Sequence, residues 1–560
     1  MISIIVKLLF TNSIVATVDL EKSIDQILAC SDILGLDSEG HVPTICYEAA
    51  VGLTPNLRRG RRSIHQTPFQ VPSMNQMCSS ECKRYPRLIR IDFIEKYTNY
   101  VLSNELTSNP RQRRIDFIDI GSCAGTCQAT FQHRNVHNKL IEYFLSEMLR
   151  RITSRAFRRA ASNYVPIEDQ MFGINEEQIE LRYQFRKFFE NELPESLLRD
   201  IDKNDDFPGL RDFLKTMGNM GLNGPGISEE YGAKDNPIKS AAIIGEELSR
   251  KSAAISMSYG AHNALNVRVL DANGSHEQKL KYLPDLISGE KIGALSMTEP
   301  TAGSDVMSMK TTAVQPAGKD YYVLNGNKYW ITNGPVCDTL ICYAKTDPTS
   351  NAGDSITAFI VDTDTEGFTA NHIPEKMGMR GSPTGDLHFD NVKVPKENIL
   401  LGEGAGAFVL MRGLNIERLL GAAMPVGIMQ AVVDQSFPYA HERKQFGRPI
   451  GKFQLMQGKM AEMYSSLSAC RAYTYSMLRS ADQDPEAMSN HECASLIMFV
   501  SDACTKVALE GIQILGGNGY VNDYPVNRYM RDAKLMEIGA GTTEVRKVIL
   551  GRYFNDYFLD

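Results

Sequence analysis

The feature that most constrains this chain is a double change of hydrophobic period between residue 167 and its C-terminal end. From 167 to about 290, apolar residues recur at helical spacing, as in 176–189 and 240–250, with a Gly-Pro loop at 224–232 between them. From 291 to 400 the pattern turns to short β-rich runs at 321–324, 339–344, 356–361 and 387–389, separated by Gly, Asn and Asp turns. From 401 onward, apolar stripes at i, i+3, i+4 return in 408–430, 454–479 and 492–515. Helical stripes and pleated runs bury their apolar faces in different layers, so blocks of each imply separate units. The order predicts an α+β protein with an N-terminal helical domain (167–290), a middle β domain (291–400) and a C-terminal helical domain (401–560).

The segment ahead of this body is different text. Residues 1–166 carry 21 Lys+Arg against 15 Asp+Glu, whereas 167–560 carry 39 against 52, a basic front on an acidic body. Six of the 11 cysteines precede residue 130. The other five, Cys337, Cys342, Cys470, Cys493 and Cys504, lack metal spacing and read as reduced, buried thiols. The pairs Cys78/Cys82 and Cys123/Cys127 come without a histidine pattern, and no metal is expected. Arg-Ile-Asp-Phe-Ile occurs at 90–94 and again at 114–118, too little for a repeat protein. Residues 1–147 form an extension with no assignable domain.

Residues 148–166 are presequence-like. Arg150, Arg151, Arg155, Arg158 and Arg159 occur without an acid, while Leu149, Ile152, Ala156 and Phe157 share one helical face. The plain alternative is a solvated basic helix. A presequence works at an N-terminus, so Met148 is the expected start of the working precursor, with 1–147 a mispredicted or alternative extension. No run of 18 apolar residues occurs, and no membrane span is expected.

Four short motifs punctuate the body. Met297-Thr298-Glu299-Pro300-Thr301-Ala302-Gly303-Ser304-Asp305 offers hydroxyls and N–H groups to an anionic or carbonyl ligand, although such text is more often a plain turn. Tyr329-Trp330-Ile331-Thr332-Asn333-Gly334 holds the single Trp, which reads as hairpin packing or as an apolar wall beside a flat ring. Arg443-Lys444-Gln445-Phe446-Gly447, with Gln454 further on, reads as a surface ion pair or as a grip on a pyrophosphate. Gly516-Gly517-Asn518-Gly519-Tyr520 permits close approach of a phosphate or partner. It is not G-x-G-x-x-G, and no strand–turn–helix unit surrounds it.

In this order, and together with Met379-Arg380-Gly381-Ser382-Pro383-Thr384 and Arg531-Asp532-Ala533-Lys534, the motifs resemble the acyl-CoA dehydrogenase family from about residue 167 to the end. The resemblance implies a C-terminal four-helix bundle, a homotetramer, and FAD at the domain junction reaching a neighbouring subunit. It implies that Leu295, Ser296, Met297, Thr298, Glu299, Pro300, Thr301, Ala302, Gly303 and Ser304 border the flavin ring, together with Trp330, Ile331 and Thr332. Arg443, Gln454, Gln513, Ile514, Leu515, Gly516, Gly517, Thr542, Thr543 and Glu544 would hold the adenine dinucleotide portion. Family chemistry removes a proton from the α carbon of an acyl-CoA and a hydride from the β carbon, the hydride passing to the flavin. The protein must supply a carboxylate base and donors for the developing enolate oxygen.

Most family members carry that carboxylate in Tyr-Glu-Gly-Thr near the C-terminus. This chain reads Glu537-Ile538-Gly539-Ala540-Gly541-Thr542, with alanine at the position and Glu537 three residues too early. Another acid, Glu417 in Leu414-Asn415-Ile416-Glu417-Arg418-Leu419-Leu420, stands in a strongly apolar helix. A solvated or Arg418-paired glutamate is its plain reading. Two branches of the family place the base there, those acting on isovaleryl-CoA and on long-chain acyl-CoA, which makes Glu417 the expected catalytic base. Its apolar setting is expected to raise its pKa. Substrate contacts are expected from Ser304, Phe408, Asn415, Ile416, Glu417, Arg418, Ala540 and Gly541, and the volume left at Ala540 suits a short branched acyl group.

Segments 258–262, 453–459 and 537–542 resemble the isovaleryl branch in particular. Two departures stand out: Phe408 replaces a substrate-side tyrosine, and the 351–355 loop is shortened and lacks a Ser-Arg pair that contacts CoA. The resemblance implies a mitochondrial matrix enzyme of leucine breakdown that converts isovaleryl-CoA to 3-methylcrotonyl-CoA and hands electrons to electron-transfer flavoprotein. No nucleic-acid partner is expected. The rivals are a long-chain acyl-CoA dehydrogenase, an acyl-CoA oxidase, and a non-catalytic flavoprotein of the same fold. The oxidase is disfavoured because Tyr557-Phe558-Leu559-Asp560 is not a peroxisomal address.

Overall fold

The computed structural model describes residues 165–234, 238–347, 349–351, 353–483 and 488–559. The extension 1–147 and nearly all of the presequence-like segment, through 164, lie outside the described residues.

The first block holds α1 (Glu176–Glu192), α2 (Glu195–Asn204), α3 (Leu210–Asn219), α4 (Ile238–Lys251), α5 (Ala253–Gly260), α6 (Arg268–Asn273) and α7 (His276–Ser288). α1 and α7 each start at a capping box, Asn175 with Gln178 and Ser275 with Gln278, which satisfies N–H groups that the first turn cannot pair internally. Between α5 and α6 the helix widens into a π turn at Ala261–Val267, which the apolar spacing does not announce. The turn places His262 so that Nε2 meets Leu286 O and Nδ1 accepts from Gly293 N–H, both at 2.9 Å. Burial pushes this imidazole down to about 4. It is therefore a neutral link from the helical block to the first strand.

The middle block holds β1 (Gly293–Ser296), β2 (Thr312–Val314), β3 (Tyr321–Thr332), β4 (Thr339–Lys345), β5 (Ile356–Asp362), β6 (Phe368–His372) and β7 (Thr384–Pro395). Among the described residues they form one seven-stranded sheet in the order β1-β4-β2-β3-β7-β6, with β5 paired to β4. β4 and β5 are buried along almost their whole length, which is why they read as continuous apolar runs. β3 and β7 extend well beyond the expected 321–324 and 387–389, because polar residues on their open face interrupt the apolar text.

The last block holds α8 (Gly406–Gly421), α9 (Ala423–Glu442), α10 (Gln454–Gln483), α11 (Asn490–Leu515), α12 (Val526–Leu535) and α13 (Thr543–Leu559). The spacing predicts a single helix over 408–430; the structure has two, broken at Ala422. Pro425 has no N–H to offer the carbonyl of Gly421, so the ladder cannot continue there. The run Gly406–Glu442 is long and apolar enough to cross a membrane, yet 78% of its most apolar window is buried inside the protein, as core helices are. α4 lies hard against α9 because Gly427 has no side chain: a Cβ there would fall 2.2 Å from Glu246 O.

Two motifs of the body weld the blocks together. Asp532 Oδ1 accepts from Met379 N–H at 2.6 Å, joining the 379–384 motif to the 531–534 motif. Arg531 forks onto both carboxylate oxygens of Asp202 at 2.8 and 2.6 Å.

Candidate active site

β1 ends at Ser296, and the loop after it runs beside the end of β3, where Tyr329 N–H donates to Thr298 O at 2.9 Å. Lys328 is fully buried and donates to Met297 O at 3.1 Å and Glu299 Oε1 at 2.9 Å. Glu299 also accepts from Lys310 and Thr311 N–H, at 2.6 and 3.0 Å. Burial pushes the Glu299 carboxyl up, but Lys328 and these donors outweigh it and leave it below its usual value. The Glu299 side chain thus braces the loop from behind, while Pro300, Thr301, Gly303 and Ser304 face outward. Lys328 has no signal in the sequence; a lysine in a β run reads as solvent-facing until the loop that covers it is known.

Trp330 belongs to no core. It is 58% exposed, its backbone is left-handed at φ 63, and its ring stands edge-on to Tyr329 with centroids 5.0 Å apart. A left-handed non-glycine residue costs on the order of 1–2 kcal/mol, and an exposed indole forgoes burial, so hairpin packing does not explain it. Ile331 is buried and Thr332 half-buried. Asn333, also left-handed, anchors the turn through Ser258 O and Gly293 O at 2.8 and 3.3 Å. A bare indole next to an outward-facing Thr/Ser/Gly loop fits a flat heteroaromatic ring with polar edges, as an isoalloxazine is. Leu295 and Met297 belong to the same apolar cluster as Leu410 and Leu414 of α8.

On α8, Leu410, Leu414 and Glu417 fall at i, i+4 and i+7, one stripe of the helix. Glu417 forms no ion pair with Arg418 among the described residues. Arg418 instead donates through Nη1 to Asn490 Oδ1 at 2.5 Å. Glu417 Oε2 is buried without a hydrogen-bond partner. Burial pushes this carboxyl up to about 7, against the pull of Arg418 and then Arg546. Four more buried polar atoms without partners belong to its surroundings: Asn415 Oδ1 and Arg418 Nε on α8, and the Tyr343 hydroxyl and Arg546 Nε, whose groups both feel the Glu417 charge. Folded proteins pair nearly all such atoms, and a carboxyl without an ion pair in such surroundings is a candidate for proton transfer. Ile416 is half-buried, and Phe408 lies on the outer face of α8, 62% exposed.

Ala540 and Gly541 form a left-handed turn, at φ 57 and 88. Arg546 closes it from α13, donating to Met536 O at 2.9 Å and Gly539 O at 2.8 Å. Glu537 is occupied elsewhere, accepting from Lys534 Nζ at 2.7 Å. It therefore has no need of a second role.

The remaining expected residues form a second group. Arg443 caps α9, is exposed and makes no ion pair among the described residues. The turn after α11 sits against the end of α9, because Tyr439 OH accepts from Asn518 Nδ2 at 3.0 Å and donates to Leu515 O at 3.5 Å. Gln454, Gln513, Gly516 and Gly517 are exposed beside buried Ile514 and Leu515. An unpaired arginine, amides and a glycine turn fit a dinucleotide. Thr542, Thr543 and Glu544 instead follow directly on the Ala540 turn at the start of α13, and no hydrogen bond among the described residues ties them to Arg443.

Three family descriptions match in succession: the acyl-CoA dehydrogenase N-terminal domain at residues 175–290, its middle domain at 294–392 and its C-terminal domain at 404–554. A sheet between two helical blocks, with a desolvated carboxyl on the helix after the sheet, is thus the scaffold of a dehydrogenase. The chain belongs to the acyl-CoA dehydrogenase family. It is 48% identical over 399 residues to the mitochondrial isovaleryl-CoA dehydrogenase of Pongo abelii, which covers 71% of this chain and 93% of that protein. It is 49% identical over 355 residues to the mitochondrial 2-methylacyl-CoA dehydrogenase of Solanum tuberosum, covering 63% of this chain and 84% of that one. Among solved structures, a glutaryl-CoA dehydrogenase from Mycobacterium smegmatis in complex with FADH2 superposes with a TM-score of 0.64 at 26% identity, covering 70% of this chain and 96% of the other.

Proposed function

We propose that this chain oxidises isovaleryl-CoA to 3-methylcrotonyl-CoA with FAD as its cofactor. The observation that carries the reading is Glu417, half-buried, without an ion pair among the described residues and with Oε2 buried and unpartnered, in a chain that has alanine at 540. An ordinary carboxylate is too weak a base for a C–H beside a thioester; one raised to about 7 is stronger and still half-ionised at neutral pH. Oε2 of Glu417 receives the α proton. Leu410 and Leu414 keep water from that stripe of α8. The single methyl of Ala540 leaves room where a glutamate would stand, which favours a branched five-carbon acyl group. Bound FAD supplies the hydride acceptor. Trp330, Thr332 and the 295–304 loop would hold its ring, and Arg443, Gln454 and the 513–517 turn its dinucleotide end, with Thr542–Glu544 contributing from the start of α13. Ser304 would reach the thioester, and Phe408, Asn415, Ile416, Arg418 and Gly541 would line the ligand.

Electron-transfer flavoprotein is the expected acceptor of the electrons, as is general in the family. Phe446, Leu455, Tyr520, Tyr557, Phe558 and Leu559 are large apolar side chains left exposed on the last block, which supports assembly into a homotetramer. The mitochondrial relatives and the acid-free basic segment at 148–164 support the mitochondrial matrix as the location.

The comparable identity to a 2-methylacyl-CoA dehydrogenase favours a second reading, oxidation of a 2-methyl-branched acyl-CoA. The test is anaerobic bleaching of the FAD-loaded protein by isovaleryl-, 2-methylbutyryl-, butyryl- and palmitoyl-CoA. Fastest bleaching by isovaleryl-CoA is the expected result. Preference for 2-methylbutyryl-CoA selects the second reading, preference for palmitoyl-CoA the long-chain rival, and no bleaching by any of them rejects all three.

A further inference from the structure

Arg182 and Arg546 are the two largest fully buried side chains of the described residues. Arg182 lies among carboxylates. Arg546 has no ion pair among the described residues; its partners are the carbonyls of Met536 and Gly539, at 2.9 and 2.8 Å, and Ser501 Oγ at 3.4 Å, while Nε has none. A buried, unpaired guanidinium is costly. Holding a turn does not require one, since a neutral amide also donates to carbonyls. What the charge adds is its effect on neighbours.

The groups around Glu417 come from three elements. Arg418 is on its own helix α8, Arg546 comes from α13, and Tyr343 from β4. Behind them, Cys493 of α11 faces Arg418, and Glu537 acts on Arg546. Arg546 also holds the turn that carries Ala540, because Gly539, whose carbonyl it binds, directly precedes that left-handed residue.

We propose that Arg546 is a positioning and specificity-determining residue: its fork on Met536 O and Gly539 O fixes where the Ala540 methyl stands, and its charge, without an ion pair among the described residues, is felt at Glu417. The proposal rests on the reading of Glu417 and Ala540 as the base and the acyl-pocket wall. The two contributions separate chemically. Lysine keeps the charge but not the planar two-nitrogen fork; glutamine is shorter, keeps an amide donor and loses the charge. Burial, then Arg418, draw the Arg546 guanidinium down to about 10, so it remains cationic at neutral pH.

The experiment uses the full chain loaded with FAD, comparing native protein with Arg546→Lys and Arg546→Gln. The readouts are bleaching rates with isovaleryl-CoA and butyryl-CoA between pH 6 and 9. Arg546→Lys is expected to lower the isovaleryl-to-butyryl rate ratio several-fold and to leave the acid limb of the pH profile in place. Arg546→Gln is expected to lower the ratio and also to move the acid limb upward by about one pH unit, roughly a tenfold loss of rate on that limb. Native ratio and native acid limb in both variants would overturn the proposal. So would loss of FAD or of the fold in both, since Arg546 would then be structural only. If native protein is bleached by neither substrate, the reading beneath the proposal fails instead.

Discussion

Two buried groups of charge in this protein are finished in opposite ways. Between the first and last helical blocks, Arg182 meets Asp169, Glu246 and Glu247 at 3.0, 3.0 and 2.9 Å. Arg186 meets Glu247, and Arg471 meets Glu246, both at 2.8 Å. Arg250 meets Asp434 at 2.8 Å, and Tyr475 OH donates to Glu246 at 2.6 Å. Burial pushes Glu246 and Glu247 up, yet the arginines outweigh it and hold both carboxyls below their usual range. Asp169 is the partial exception: its contact with Arg182 lacks hydrogen-bond alignment, and burial leaves its carboxyl raised. Around Glu417, which is half-buried, burial meets no ion pair among the described residues, and the carboxyl is pushed up to about 7. Saturated charge fixes how α1, α4, α9 and α10 meet; unsaturated charge leaves a group free to move a proton. What separates the scaffold from the proposed site is ion pairing: each of these scaffold acids has an arginine within 3 Å, whereas half-buried Glu417 has no ion pair among the described residues.

Substitutions that neutralise one acid in each group should therefore act in opposite directions. The larger effect is expected from Glu246→Gln, which takes away the shared partner of Arg182 and Arg471 and should cost about 3–5 kcal/mol in urea unfolding. An unchanged midpoint would mean that the network contributes no more than surface pairs do. The smaller effect is expected from Glu417→Gln, with the other sign. The folded-state pKa of Glu417, about 7, lies above its ordinary 4.5, so the folded state binds the extra proton between those values. Stability is then full below pH 4.5 and falls as pH rises through 7, a loss of about 3 kcal/mol. Glutamine cannot ionise, so the variant should be more stable than the native chain at pH 8 by up to that amount, with the gap closing towards pH 4.5. Urea titrations at pH 5 and pH 8 check this; a variant less stable at pH 8 would mean that Glu417 is paired after all.

The blocks of the fold and their order were legible because long helices and buried strands carry their period in the text. What escaped was decided by distant neighbours. β1 is four buried residues made a strand by parallel pairing with β4, and β6 is largely polar and exists because β7 runs beside it. The break at Ala422 was legible in principle from Pro425, but the apolar stripe crosses it without interruption. At the site, Glu417 stood out as an acid in apolar text, and Trp330 as the single Trp of the chain. Lys328, Tyr343 and Arg546 did not, since a lysine or tyrosine in a strand and an arginine in a terminal helix are common surface residues. Their burial is set by the 297–299 loop, by α8 and by the 536–541 turn, none of which is adjacent in sequence.

The most direct trial of Glu417 as the base is anaerobic addition of isovaleryl-CoA to FAD-loaded Glu417→Gln beside the native protein. The expected result is native flavin that bleaches and variant flavin that stays bound but bleaches at least about a hundredfold more slowly. Bleaching of the variant at the native rate would contradict it.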